Sequence, residues 1–278
     1  MTAPMKLTDR AVLTTGANSG IGLETVLEVA RRGFRSIGSV RSEAKADDVL
    51  QAAKEAGVEV ETVLLDVTDA DACAKVLAPL ELYGLVNNAG YTGTGAIEDV
   101  DDEQVRHQLE TMLVAPMRLA RLALPAMRAA RAGRIVNVSS IYGRTTTPLS
   151  GWYQAAKHGL EAASDALRLE VAGDGVRVVL VEPGGFKTGI WDDMKAAIAE
   201  REGSRFEQNY RRSLELTRLT EPIMGHPRRC AKVITDVLSS RSPRARYLVG
   251  YDAQALAIVD QFTPTVVKDR VTRWVLGL

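Results

Sequence analysis

Short apolar runs alternate with longer stretches in which apolar positions recur every three or four residues. Residues 11–15, 36–40, 58–65, 82–87, 134–139 and 176–182 are of strand length and rich in Val, Leu and Ile. Between them the pattern predicts helices around 21–32, 43–56, 69–77, 101–131 and 151–172. In the last of these, Leu160, Ala163, Leu167 and Val171 form the stripe of a helix facing a core. Repeated strand–helix–strand units predict a parallel sheet with helices on both faces. Strands covered on both sides need no apolar/polar alternation, which accounts for the continuous runs. After residue 187 the pattern changes. Residues 188–225 are polar and helical in pattern, with Trp191, Met194, Phe206 and Tyr210 set among charges, as in a segment that covers a substrate site. Residues 252–278 carry apolar positions at helical spacing, broken by Pro264, and read as a helical extension that packs on the domain or rests on a membrane surface. No short repeat or low-complexity linker divides the 278 residues, so a single domain spanning 1–278 is expected.

Composition narrows the function classes. With 35 basic and 35 acidic residues and no compact Lys/Arg block, nucleic acid is not expected as a partner. Cys73 and Cys230 are too few for a disulfide framework and lack metal-site spacing, which suits a reducing cytoplasm. The start MTAPMKLTDR has no apolar signal core, and no apolar run is long enough to cross a bilayer. His107, His158 and His226 are scattered, so no metal site is expected. There is no Gly-x-Ser-x-Gly elbow of a serine hydrolase.

The chemistry begins where the first strand runs into Gly16, Ala17, Asn18, Ser19, Gly20, Ile21 and Gly22 and then a helix. Glycines there permit a tight turn and let backbone N–H groups approach a pyrophosphate at the helix N-terminus. The spacing is G-x-x-x-G-x-G, and the absence of Gly-Lys-Ser/Thr excludes a P-loop. At the end of the second strand, Arg41 stands where a free 2′-hydroxyl would usually meet an acid. A guanidinium suits a 2′-phosphate, which favours NADP(H) over NAD(H). Asp66 and Val67 end the third strand and are placed to hold an adenine edge; Asn88, Ala89 and Gly90 follow the fourth with small side chains. Tyr153 and Lys157, four residues apart, share one helix face. An ammonium near a phenol favours the phenolate and so assists proton exchange.

Taken in order, TGANSGIG, DVTD, NNAG, NVSS, YQAAK and PGGFKT make the chain similar to the short-chain dehydrogenase/reductase family over residues 10–190, with a weaker likeness to hydroxysteroid and retinol dehydrogenases further on. The resemblance implies a Rossmann-type, doubly wound α/β fold with about seven parallel strands. It also implies Ser140, Tyr153 and Lys157 as catalytic residues. Ser140 would hold the substrate oxygen, Tyr153 would exchange the proton, and Lys157 would tune Tyr153 and bind the nicotinamide ribose. Pro183, Gly184, Phe186 and Thr188 would border the cofactor, Thr188 at the carboxamide. A homodimer or homotetramer paired through the helices at 101–131 and 151–172 is implied as well.

One position departs from the pattern. Met112 stands where the family usually has an asparagine associated with a proton-relay water, and a thioether offers no comparable donor or acceptor. Ile141, Tyr142, Pro148, Trp152, Phe186, Trp191 and Met194 flank the catalytic positions, pointing to a hydrophobic ketone, aldehyde or secondary alcohol, of steroid, retinoid or fatty type. The expectation is an NADP(H)-dependent oxidoreductase. The alternatives are an NAD(H)-preferring enzyme and a nucleotide-sensing protein of the same fold with little turnover.

Overall fold

The computed structural model describes residues 7–278. Seven parallel strands make one sheet: β1 (Ala11–Thr15), β2 (Arg35–Val40), β3 (Glu61–Leu64), β4 (Leu82–Asn87), β5 (Gly133–Val138), β6 (Val176–Pro183) and β7 (Arg246–Val249). Their spatial order is β3-β2-β1-β4-β5-β6-β7, so the winding reverses between β1 and β4. Ligands of open α/β sheets bind at the carboxyl ends of the strands beside such a reversal.

Each face is covered. Leu13, Leu85 and Ile135 meet Leu119 and Met127 of α5 (Ala115–Ala129) on one side. Val12, Val136 and Val181 meet Ile234 and Leu238 of α9 (Arg228–Ser239) on the other. The remaining helices are α1 (Gly20–Arg31), α2 (Glu43–Glu55), α3 (Ala70–Leu77), α4 (Asp102–Leu109), α6 (Gly151–Glu170), α7 (Ile190–Ala199), α8 (Glu207–Thr220), α10 (Tyr251–Phe262) and α11 (Thr265–Leu276).

Three details depart from the pattern-based expectation. β3 starts at Glu61 because Val58 and Val60 pack against the cluster under α2 instead of joining the sheet. β7 adds a seventh strand that its short, half-buried pattern did not announce. The helix expected at 101–131 changes pitch: α4 passes through a π-helical turn, Glu110–Val114, into α5. Pro116 in the first turn of α5 has no N–H to return to the preceding turn, and a wider turn absorbs that loss. The Pro116 carbonyl accepts from Asn87 Nδ2 at 3.2 Å, which ties the start of α5 to the end of β4.

Candidate active site

The glycine turn is shaped by what has no room. Gly16 lies at φ +66°, and a Cβ there would sit 3.0 Å from the Ala89 backbone. A Cβ on Gly22 would collide with the Gly16 carbonyl oxygen and lie 2.6 Å from Asn88 Nδ2. Asn88 ties the turn down from the neighbouring strand end: its Nδ2 donates to Thr15 O at 2.9 Å and to Gly16 O at 3.3 Å. Thr15 Oγ1 accepts from the N–H groups of Asn88 and Ala89, both at 3.0 Å. This stapling role of Thr15 was not legible in the sequence, where it reads as one more strand residue.

Along these strand ends runs a cleft of about 990 Å³, lined by Gly16, Asn18, Ser19, Gly20, Ile21, Arg41, Asp66, Val67, Asn88, Ala89, Gly90 and Thr188. Lys45 lines it too, one turn into α2 beyond Arg41, a second cation that strand-end reasoning missed. Burial would raise the Asp66 carboxyl, but hydrogen bonds from Thr68 and the nearby charges of Arg41 and His107 hold it below its ordinary value. The residues present therefore fit a dinucleotide. A glycine cradle faces the helix N-terminus, a carboxylate stands just past β3, and two cations lie beside the end of β2.

Other expected residues lie outside that lining. Gly22 is packed beneath the turn. Pro183 and Gly184 are fixed by β7, with Gly184 N donating to Val249 O at 2.9 Å. Asp252 Oδ2 accepts from Gly185 N at 2.5 Å, a buttress of the loop after β6 that no motif signalled. Phe186 is 3% exposed and packs in the core with its ring against Gly225, so its side chain does not face the cleft. Ile141 and Met194 are buried as well, whereas Trp191 lines a separate groove beside Thr188. The flanking apolar residues thus do not form one pocket wall, because Ile141, Phe186 and Met194 are buried.

Ser140, Tyr153 and Lys157 also lie outside that lining, but they stand together at the sheet edge. β5 ends at Val138, which leaves Ser139 and Ser140 just past the sheet edge. Ser140 Oγ accepts from Tyr142 N at 3.1 Å, which fixes its orientation. Lys157 Nζ donates to Val138 O at 2.9 Å and lies 5.8 Å from the Tyr153 ring centre. Burial pushes the Tyr153 hydroxyl up to about 12, against the opposing hydrogen bond with Ser140. Burial also pulls Lys157 down to about 8, with Glu161 acting the other way. Desolvation therefore sets the direction at Tyr153, opposite to the one the Tyr–Lys spacing alone implied. Met112 is 1% exposed, and its Sδ would lie 3.3 Å from a Cβ on Gly90.

Residues after β6 reach over the cleft. Asp193, Ala196 and Ala197 of α7, with Glu200 and Arg201, line it opposite the glycine turn. Arg201 pins this segment by donating to Asp99 O at 2.6 Å and Gln104 Oε1 at 2.9 Å. Asp99 Oδ2 also accepts from Ser204 Oγ at 2.6 Å and from Tyr210 OH at 2.7 Å. Among the described residues, no helix is long and apolar enough to cross a membrane and no cluster of His, Cys, Asp and Glu is suited to a metal ion.

Comparison with known proteins agrees with this geometry. The model of the short chain dehydrogenase family matches residues 10–199. Retinol dehydrogenase 16 of Mus musculus is 32% identical over 296 aligned positions, which cover 96% of this chain and 89% of the relative. A short-chain dehydrogenase from Streptomyces avermitilis superposes with a TM-score of 0.78 at 29% identity, covering 97% of both chains. An actinorhodin polyketide ketoreductase solved with NADPH gives 0.77 at 28% identity, covering 88% of this chain and 97% of its own. The glycine cradle, the Ser140–Tyr153–Lys157 group at the sheet edge and these likenesses place the chain in the short-chain dehydrogenase/reductase family, as an NAD(P)-dependent oxidoreductase.

Proposed function

We propose that the protein transfers a hydride between NADP(H) and a hydrophobic carbonyl or alcohol, with Tyr153 as the proton donor or acceptor. The observation that carries this reading is the convergence of Ser140, Tyr153 and Lys157 at the carboxyl edge of the sheet. When bound, the nicotinamide supplies or accepts the hydride. Gly16, Asn18, Ser19, Gly20 and Ile21 would hold the pyrophosphate, Asp66 and Val67 the adenine, and Thr188 the nicotinamide end. Arg41 and Lys45 favour a cofactor carrying a 2′-phosphate.

Ser140 Oγ donates to the substrate oxygen and fixes it toward Tyr153. A hydroxyl held protonated by burial suits the acid role needed for carbonyl reduction. Lys157, anchored on the Val138 carbonyl, keeps a positive charge beside the phenol below pH 8. Within the steroid, retinoid or fatty class, a retinoid is the substrate that the retinol dehydrogenase relatives support. The segment spanning residues 188–225 acts as its cover, supported by the α7 residues that line the cleft. The test is NADPH oxidation with hydrophobic ketones and aldehydes, comparing the native protein with Tyr153→Phe. Turnover that falls at least about 100-fold in the variant supports the reading. Undiminished turnover refutes the role of Tyr153.

Buried Met112 favours a second reading, a nucleotide sensor with little turnover. Cofactor binding without hydride transfer across a broad carbonyl panel would select it.

A further inference from the structure

One turn beyond Lys157 on α6, at the spacing that brings side chains together on a helix face, lies Glu161, 8% exposed. The ionic cluster around it is built from four parts of the chain. Arg246 on β7 places Nε 3.1 Å from Glu161 Oε2 and 3.3 Å from Glu182 Oε1. Glu182, on β6, is fully buried and its Oε2 lies 2.7 Å from Arg144 Nε. Arg246 Nη2 also reaches Asp165 Oδ2, one turn further along α6, and Asp165 in turn meets Arg168. Glu161 Oε1 is buried without a hydrogen-bond partner, as is Ser139 Oγ, and both lie close to Gly143. Three carboxylates and three guanidinium groups thus stand along the second half of α6, directly after the turns that carry the Tyr153–Lys157 pair. Lys157 itself has only a neutral partner, the Val138 carbonyl.

We propose that Glu161 is a positioning residue of this active site, clamped by Arg246 beside buried Glu182, and that its negative charge holds Lys157 in the ammonium form. A buried ammonium bonded to one carbonyl lacks the counter-charge that burial ordinarily demands. Glu161 is the carboxylate on the same face that supplies it. Glu182 does not compete for that task. It sits on β6 and is engaged by Arg144 as well as Arg246, while burial and the adjacent Glu161 push its carboxyl above the ordinary range. The geometry links β7 to the catalytic helix, so movement of Arg246 would alter the charge available to Lys157.

The inference rests on Lys157 acting in catalysis, but its test does not require turnover. In protein carrying carbon-13-labelled lysine, without added cofactor, the Lys157 Cε–Hε resonance is assigned by its loss in Lys157→Met and followed with pH. Glu161→Gln, which keeps shape and removes charge, should move the Lys157 midpoint down by about one pH unit, a tenfold loss of the charged form at alkaline pH. Glu161→Asp, which restores the charge, should return the midpoint close to its native position. An unchanged midpoint in a folded Glu161→Gln variant overturns the proposal and leaves Glu161 a structural tie for β7. If that variant does not fold, Arg246→Gln supplies a second readout. It removes the guanidinium that offsets Glu161 and should raise the Lys157 midpoint, and an unchanged midpoint overturns the proposal equally. Loss of carbonyl turnover with the titration intact would count against the proposed reaction alone.

Discussion

Replacing Lys157 by Met should make the protein more stable while removing its activity. Lys157 is 5% exposed, and burial lowers its amine from 10.5 to about 8. A folded-state value below the unfolded one means that folding holds the charged form at a disadvantage. The penalty is full below pH 8, where the amine is charged in both states, and fades as pH rises toward 10.5. A separation of this size corresponds to about 3 kcal/mol at pH 7 and less than about 1 kcal/mol at pH 10. Methionine follows a similar path through the core but leaves the Val138 carbonyl without its donor, a loss of about 1–3 kcal/mol. The net gain at pH 7 is therefore about 1 kcal/mol. The pH dependence is the sharper quantity, because the carbonyl and packing contributions do not titrate and cancel between pH values. Urea unfolding of both proteins should show the advantage of Lys157→Met falling by about 2 kcal/mol between pH 7 and pH 10. A difference that stays constant over that range would refute the assignment of a buried, destabilising ammonium.

Arg41→Glu should weaken NADPH about 10- to 100-fold, by loss of a charge-assisted contact and gain of repulsion, while leaving NADH little affected. Steady-state KM values for the two cofactors decide it, and equal losses for both would make Arg41 a general surface charge. Tyr210→Phe removes a hydroxyl that donates to Asp99 and accepts from Ala96 N at 2.6 Å. The covering segment should loosen by about 1–3 kcal/mol, read as faster proteolysis after residue 199, and an unaltered digestion rate would count against the latch. Met112→Asn places an amide against Gly90 where a thioether stood and should change the pH–rate profile. An unchanged profile would dissociate this position from proton transfer.

Much of the fold was legible because its signals are local. Continuous Val/Leu/Ile runs announce strands covered on both sides, and the glycine spacing after β1 reports a turn that has no room for side chains. The i,i+4 spacing of Tyr153 and Lys157 fixes their shared face once a helix forms. Where the backbone departs from those signals, a distant partner decides. Val58 and Val60 leave the sheet for the cluster under α2, and the long helix widens ahead of Pro116, whose carbonyl accepts from Asn87.

The sequence alone determined the layered parallel sheet, the cradle for a dinucleotide and the types of residue available for proton transfer, because each depends on spacing within one turn or one strand. Tertiary structure decided which environments those residues occupy. It buried Phe186 and Met194, carried Arg201 across to Asp99, and brought Arg144, Glu161, Glu182 and Arg246 into one cluster. It also set the direction of the Tyr153 and Lys157 shifts, since desolvation depends on everything packed around a group and leaves no trace in the spacing of the residues that feel it.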